Sequence, residues 1–517
     1  MTAPEDVVMA APVDVPWHRL DRRMLFIRPV LDLVKSLPVL FGALILGHGD
    51  SWQWIGVAVT ALTVLAGISH VLTSRYRITA EQVEWHTGLL LRKDRAIPRD
   101  RIRTVDVTSE PKHRLFKLAA VRIGTGRHSH GKGPGGDELL LDAVSLDEAQ
   151  RLRTTLLHRK AVVTADEPAV ESSEKLVAAI DKRWLRYAPF TLSGLAVIGA
   201  MIATVYHFAH ELHFDPVEYG PLRSLVARSA EAPTWLVVVL AAVALLVAVS
   251  LLSVGGYVLS FWNFRLTRES EGTLHVRRGL ITTRSVSIEE DRLRGVEVKQ
   301  PLPLRAVGGA RCTAIAGGLW EGKSADKGGG LLLPPAPLAR VHEVVDVVLG
   351  EDYDPLTVPL TRHPRRALNR RLSRAVGGVA LLAVALFLLS WIDFLPDWPW
   401  QVALVLLPVA AVVGWDRYRN LGHTMTGRYL VTSYGSLDRT TVALRREGIT
   451  GIVLERSFFQ RRAGLITLVA PIAAGKGSYN VLDLGESDGL ALADQAVPGL
   501  LTPFLTRVHP QLVDESL

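Results

Sequence analysis

Cysteine is almost missing from this chain: a single residue, Cys312, stands among 517. One thiol excludes a disulfide within the chain and any cysteine-built metal site. Charge is scarce as well, at 21% of residues, while hydrophobic residues make up 48% and the mean hydropathy is +0.22. That balance excludes a disordered tail and fits an ordinary soluble enzyme poorly. Lysine is the third shortage, 12 against 47 arginines, within a formal net charge of +8. Basicity of this size suits anionic lipid or nucleic acid, and the placement of the charges decides between them. No apolar region precedes Arg19, so a cleavable signal peptide is not expected and the first apolar span is expected to be the anchor.

Six apolar stretches are present, at Val30 to Gly47, Trp54 to Thr73, Ala188 to His207, Thr234 to Phe261, Ala375 to Trp391 and Trp400 to Trp415. Each approaches or exceeds the roughly 17 to 25 residues that cross about 30 Å of hydrocarbon. The first carries Asp32 and Lys35 in its opening turns, and the last five hold no Asp, Glu, Lys or Arg. Spans without midplane charge argue against a solute path and so against a transporter. Arginines crowd one set of flanks, including Arg19, Arg22, Arg23, Arg28, Arg75, Arg77, Arg265, Arg365, Arg366, Arg370, Arg371 and Arg417. The opposite connections, 48–53 and 392–399, have no Lys or Arg, and Trp52, Trp54, Trp391, Trp398 and Trp400 cluster beside them. The positive-inside rule therefore predicts both termini and every large inter-span segment on the cytoplasmic side. Charges that hug membrane ends, with no basic helix interleaved with aromatics, also argue against nucleic-acid binding.

The three large segments repeat one another. Each opens on an aromatic alternating with polar residues: Arg75-Tyr76-Arg77-Ile78-Thr79, Asn263-Phe264-Arg265-Leu266-Thr267 and Arg428-Tyr429-Leu430-Val431-Thr432. A Gly-Leu turn follows at Gly88-Leu89 and Gly279-Leu280, and the third copy is read as lacking it. Ile102 to Val105, Leu293 to Val296 and Ile449 to Ile452 then align. Nine residues beyond each quartet stands an arginine, Arg114, Arg305 or Arg461, with Leu118, Gly309 or Leu465 four positions later. Short strands are predicted at Glu138 to Leu141, Gly330 to Leu333 and Tyr479 to Leu482. Amphipathic helices are predicted at Leu146 to Leu157, Pro337 to Leu349 and Gly489 to Leu505. Several short strands closed by one terminal helix outline a pleckstrin-homology (PH) domain.

This ordered set resembles the bacterial PH-like domains of YdbS/YdbT-type membrane proteins, most closely in the first copy. There it is carried by Tyr76-Arg77-Ile78-Thr79, Gly88, Ile97-Pro98, Ile102 to Val105 and Arg114-Leu115-Phe116-Lys117-Leu118. The resemblance covers most of residues 17–505 and implies a membrane-anchored PH-like scaffold in a bacterial plasma membrane, with no catalytic residue and no cofactor. The expected fold is an α+β multi-pass membrane protein of three transmembrane helix hairpins, each followed by a PH-like small β-barrel or sheet with a C-terminal helix. The expected boundaries are an N-terminal segment 1–29, hairpins 30–73, 188–261 and 375–415, PH-like domains 74–160, 262–350 and 416–507, and linkers 161–187 and 351–374.

Three motifs point elsewhere and are discounted. Gly317 to Ser324 matches the phosphate-binding pattern G-x-x-x-x-G-K-[ST], but Ala325 to Gly330 starts no helix to face a phosphate. His128 and His130 lack a third metal ligand, and Glu289-Glu290-Asp291 beside Arg292 and Arg294 reads as a salt-laced surface. The expected role is non-enzymatic: a scaffold whose expected contacts are the bilayer with its anionic headgroups, and membrane or cytoplasmic proteins. The runner-up is a subunit of an export or envelope-stress complex, ahead of a transporter or membrane enzyme. Candidate contact residues are Arg114, Arg305 and Arg461, with Lys132, Lys323 and Lys476 on the glycine-rich loops.

Overall fold

The computed structural model describes residues 16–21, 23–30, 32–33, 36, 50–79, 81–88, 92–102, 104–124, 138–157, 174–191, 198–201, 203–204, 207, 233–269, 272–317, 330–350, 354–396 and 398–499. They fall into two compact units. The first is Met1–Val170 with Ile281–Ser287, and the second is Glu171–Leu280 with Ile288–Leu517.

In the first unit, β1 (His18–Arg19) pairs antiparallel with β2 (Arg75–Ile78), so the chain leaves and returns to one place around helix α1 (Asp50–Thr73). With β3 (Gln82–Thr87) and β4 (Lys93–Pro98) these strands make a sheet in the order β1-β2-β3-β4. β5 (Thr104–Ser109), the short helix α2 (Pro111–Leu115), β6 (Leu118–Gly124) and β7 (Glu138–Ser145) follow, closed by α3 (Leu146–Leu157). Strand alternation and the α3 stripe meet in one core that contains Tyr76, Val83, Val105, Val121, Leu141 and Leu152.

The second unit repeats the plan twice. β8 (Lys175–Ala179) precedes a 3-10 helix over Lys182–Thr191 and α4 (Thr234–Phe261), and pairs with β9 (Arg265–Glu269) beyond them. β10 (Thr273–Arg278) pairs with β9, and residues 283–287 of β11 (Thr283–Glu289) count with the first unit. β12 (Leu293–Pro301), α5 (Leu302–Ala306), β13 (Gly309–Ala316), β14 (Leu331–Pro337) and α6 (Leu338–Leu349) complete the repeat. In α6, buried Val341, Val344, Val345 and Val348 form the i, i+3, i+4, i+7 stripe that pins a helix to a sheet, and Gly350 ends it at φ +65°. The last repeat has α7 (Arg365–Trp391), α8 (Trp398–Arg419), β15 (Gly422–Thr426), β16 (Tyr429–Tyr434), β17 (Asp438–Arg445) and β18 (Val453–Glu455). It ends with α9 (Phe458–Ala463), β19 (Leu465–Pro471), β20 (Ser478–Gly485) and α10 (Glu486–Ala496).

Four described helices are long and apolar enough to cross a bilayer: 56–73 of α1, then α4, α7 and α8. Their apolar side chains, among them Leu62, Leu246, Leu381 and Val405, are exposed, as lipid-facing groups are. Most of the stretch at 30–47 lies outside the described residues, as do 192–197, 202, 205 and 206 of the stretch at 188–207, and Ala188 to Thr191, expected to open that span, belong to the 3-10 helix.

The structure corrects four expectations. Residues 161–187 are no plain linker, because Lys175–Ala179 forms an edge strand of the second repeat's sheet. Residues 365–374 of the expected second linker are the first turns of α7, and Thr361 bridges to His423. The third copy opens at Gly422, not Arg428: its Tyr-x-Val-Thr segment is the second strand, and its glycine turn is present at Gly435, φ +100°. A side chain at Gly435 would drive a Cβ to 2.1 Å from the Asp438 carbonyl oxygen. Nor are the second and third repeats separate barrels. β12 pairs antiparallel with β17 from Gly295 opposite Leu444 to Pro301 opposite Asp438, giving one six-stranded sheet, β14-β13-β12-β17-β16-β15.

The seam is tight at Gly295, where a Cβ would fall 2.1 Å from the Ala443 carbonyl oxygen. Gly295→Ala is therefore expected to destabilise the fold by about 1 to 3 kcal/mol through forced strand separation, read as a lower unfolding midpoint of the detergent-solubilised chain. An unchanged midpoint would show that the seam is slack.

Candidate functional site

The three arginines at matching offsets occupy one place in the repeat. Arg114, Arg305 and Arg461 lie on the short helices α2, α5 and α9, and Leu118, Gly309 and Leu465 each begin the next strand. Their surroundings differ. Arg114 is exposed, with Nη1 3.5 Å from the Ile281 carbonyl oxygen. Arg305 pairs with Asp416 at 3.2 Å near the end of α8, and that carboxylate also accepts from Asn420 at 3.0 Å and Ser436 at 2.7 Å. Arg461 is exposed in the last turn of α9. Lys476 Nζ donates to Glu297 Oε1 at 2.6 Å, joining the third repeat's loop to the second repeat's β12. Lys132 and Lys323 lie outside the described residues.

The short helices of the first and third repeats stand where the long helices meet the sheet. Leu118 packs with Met24, Ile27 and Val71, at the two ends of the first pair. Leu465 packs with Ala367 of α7 and Leu421 just beyond α8. Gly309 has no side chain because Tyr187 and Leu304 occupy the space, 2.6 and 2.7 Å from where its Cβ would be.

A feature that the sequence pattern does not disclose lies one strand further on. Between the sixth and seventh strands every repeat carries a β-bulge in the same place. Ala119 opposes Val144 and Val121 opposes Leu141, leaving Asp142 and Ala143 against one residue. Pro334 and Pro335 are the extra pair in the second repeat, where proline is tolerated because the ladder is already broken, and Leu482 and Asp483 in the third. Each bulge contacts a helix that precedes its sheet. Asp142 lies 3.9 Å from Arg28 and 3.2 Å from His113. Tyr257 of α4 donates its hydroxyl to the Pro335 carbonyl at 2.9 Å.

In the third repeat the grip is a fully buried carboxylate. Asp483 is 0% exposed, with φ +59°. It is ion-paired with Arg370 and with Arg371, whose Nε lies at 2.7 Å, and Gln460 of α9 donates to it at 3.0 Å. A charge stripped of water persists only when paired and hydrogen-bonded, and here two guanidiniums supply both. Above it, His363 Nδ1 donates to the Asp483 carbonyl at 3.1 Å and His423 Nδ1 donates to His363 Nε2 at 3.1 Å, which fixes both tautomers. Burial lowers the pKa of His363, and burial reinforced by His363 brings His423 down to about 4.

The remaining chemistry is sparse. Among the described residues no group of three His, Cys, Asp or Glu could hold a metal ion, and His128 and His130 lie outside them. Burial pushes the Cys312 thiol up, so it stays protonated and unreactive. β13 and β14 are antiparallel neighbours, whereas a phosphate loop joins a strand to a helix; most of the motif at Gly317 to Ser324 is outside the described residues. Glu289 and Glu290 pair with Arg292 and Arg268. A hollow of about 380 Å³ is lined by Arg428, Arg446, Glu447, Ile449 and the end of α10.

The bacterial PH domain family model matches three times, at residues 31–160, 224–350 and 375–495. The chain is also 24% identical over 430 residues to the UPF0699 transmembrane protein YdbT of Bacillus subtilis (strain 168), a match that covers 80% of this chain and 83% of the relative. No solved structure matches.

Asp483→Ala leaves two guanidiniums without their carboxylate and is expected to cost about 3 to 5 kcal/mol in the unfolding free energy of the purified chain. Asp142→Ala, at a half-exposed and longer pair, is expected to cost less. The histidines give a pH signature. An unfolded histidine takes a proton near pH 6.5 while folded His423 resists it down to about 4, so stability should fall as pH drops from about 6.5 towards 4 and stay flat above. His423→Gln should flatten the unfolding midpoint between pH 5 and 7; an unchanged slope would place the titration elsewhere.

Proposed function

The chain belongs to the bacterial PH domain family, and on that premise we propose that this membrane protein is a non-enzymatic scaffold that holds three PH-like domains against the cytoplasmic face of a bacterial plasma membrane. The observation that carries the reading is the gripping bulge: in every repeat the last strand is fastened to the base of a helix pair, so the sheet surfaces are fixed relative to the bilayer. A rigid surface at constant height suits the binding of protein partners, since little conformational freedom is then lost on association.

Strand pairing supports the one-sided arrangement independently of the arginine flanks. β1 with β2, β8 with β9, and Thr361 with His423 each hydrogen-bond the chain before a helix pair to the chain after it. Paired strands lie on one side of a membrane, so the crossings between them are even in number.

Contact with lipid fits the short helices better than the lysine loops. α9 lies beside the polar first turns of α7, with Phe458 and Phe459 exposed at 66% and 72% and Arg461 and Arg462 in its last turn. Leu115 on α2 is exposed at 80%. Aromatic and aliphatic side chains with flanking arginines at this height suit the headgroup boundary, the arginines reaching phosphates.

Two measurements test the proposal. Cysteine at Asp393 should react with an impermeant reagent in intact cells, while cysteine at Glu447 should react only after permeabilisation; labelling of Glu447→Cys from outside would refute the cytoplasmic placement. Purification from native membranes should retain a stoichiometric protein partner, and recovery of the chain alone under mild conditions would count against a scaffold.

A further inference from the structure

The joining of repeats leaves two sheet edges without the neighbour that their counterparts have. The second repeat's fifth strand, β12, takes the third repeat's fourth strand, β17, as its antiparallel neighbour, the Thr361 bridge being counted as the third repeat's first strand. In the first unit the order β7-β6-β5 continues likewise into residues 283–287, from the fourth strand of the second repeat. The fifth strand of one repeat thus receives the fourth strand of the next. β18, the fifth strand of the last repeat, ends its sheet in the order β18-β19-β20, and β4, the fourth strand of the first repeat, ends the sheet β1-β2-β3-β4. Among the described residues neither has a strand on its outer side.

These edges are the two halves of one joint, carried on the two outer repeats of the chain. Val453 is 47% exposed, and Glu455, Asp94 and Ala96 are exposed. The glycines make the comparison direct. A Cβ at Gly295 would meet the Ala443 carbonyl of β17 at 2.1 Å, whereas a Cβ at Gly451, the matching position beside β18, meets nothing within 4 Å. The place of the partner strand's carbonyl is open there.

We propose that β18 of one copy pairs antiparallel with β4 of a second copy of this chain, in the register that β12 and β17 use. Counting from Leu293 and Ile449 on one strand, and from Ile449 and Ile102 on the other, puts Gly451 opposite Ile97 and Leu454 opposite Asp94. An unpaired edge invites strand addition, and main-chain hydrogen bonds supply the attraction. β18 has only 3 residues, so the contact is weak by itself. Confinement of both copies to one bilayer supplies the effective concentration that it needs. Different edges meet, so the contact is heterologous and each copy can join two others. The idea goes beyond the scaffold reading and does not depend on which protein the scaffold binds.

Cross-linking in native membranes tests it, with buried Cys312 as a silent background. Differently tagged copies carrying Leu454→Cys and Asp94→Cys, expressed together and oxidised with copper phenanthroline, should give a disulfide heterodimer containing both tags. Neither variant alone should link to itself, and both cysteines on one chain should give a ladder of multimers. Adding Gly451→Val to the Leu454→Cys copy should cut the heterodimer yield about fivefold or more while the monomer's unfolding midpoint stays unchanged. No heterodimer, self-linking of Leu454→Cys copies, or capture of a different protein at Leu454→Cys would overturn the proposal.

Discussion

Everything in the third repeat hangs on one buried carboxylate. Asp483 has no exposed surface and holds Arg370 and Arg371 of α7, Gln460 of α9 and, through its carbonyl, His363. An unpaired charge at that depth would cost several kcal/mol, so α7 and the bulge of β20 must meet in one way only. That fixes the angle at which α7 leaves the third repeat's last sheet.

The same joint is made three times from different groups. The first repeat uses a more exposed Asp142 with Arg28 and His113, the second a carbonyl of Pro335 with the hydroxyl of Tyr257, and the third a double ion pair. What the repeats share is geometry: a two-for-one bulge on the seventh strand opposite the third residue of the sixth. A bulge turns the strand and aims two side chains or carbonyls at the helix base, whatever their chemistry. The seam from β12 to β17 then joins the second repeat's bulged strands and the first strands of the third repeat in one sheet, with Lys476 and Glu297 as a cross-tie.

Much of this plan was legible in the residues. Fixed offsets identify the short helices, because Arg114, Arg305 and Arg461 fall on α2, α5 and α9 and the residue four positions later opens a strand each time. The stripe over Leu146 to Leu157 gives α3 with the same ends. The third copy misleads because its Tyr-x-Val-Thr segment sits on the second strand, where the pattern of period two is the same. The bulges are hidden for a physical reason: one extra residue breaks the alternation, and an aspartate within an apolar run reads as a surface residue until its arginines, more than 100 positions away, are in place. The candidate cations were legible as positions, but their partners were not, since Arg305 meets Asp416 and Lys476 meets Glu297 only across the fold.

If the bulge joint sets the sheet at a fixed height on the bilayer, the side chains of α9 report that height. A spin label at Phe459 in reconstituted vesicles, read by its collisions with oxygen and with a water-soluble nickel complex, measures it directly. The native chain should show the balance of the headgroup boundary, and the Asp483→Ala background a shift towards water. A label in bulk water in both, or the same depth in both, would contradict it.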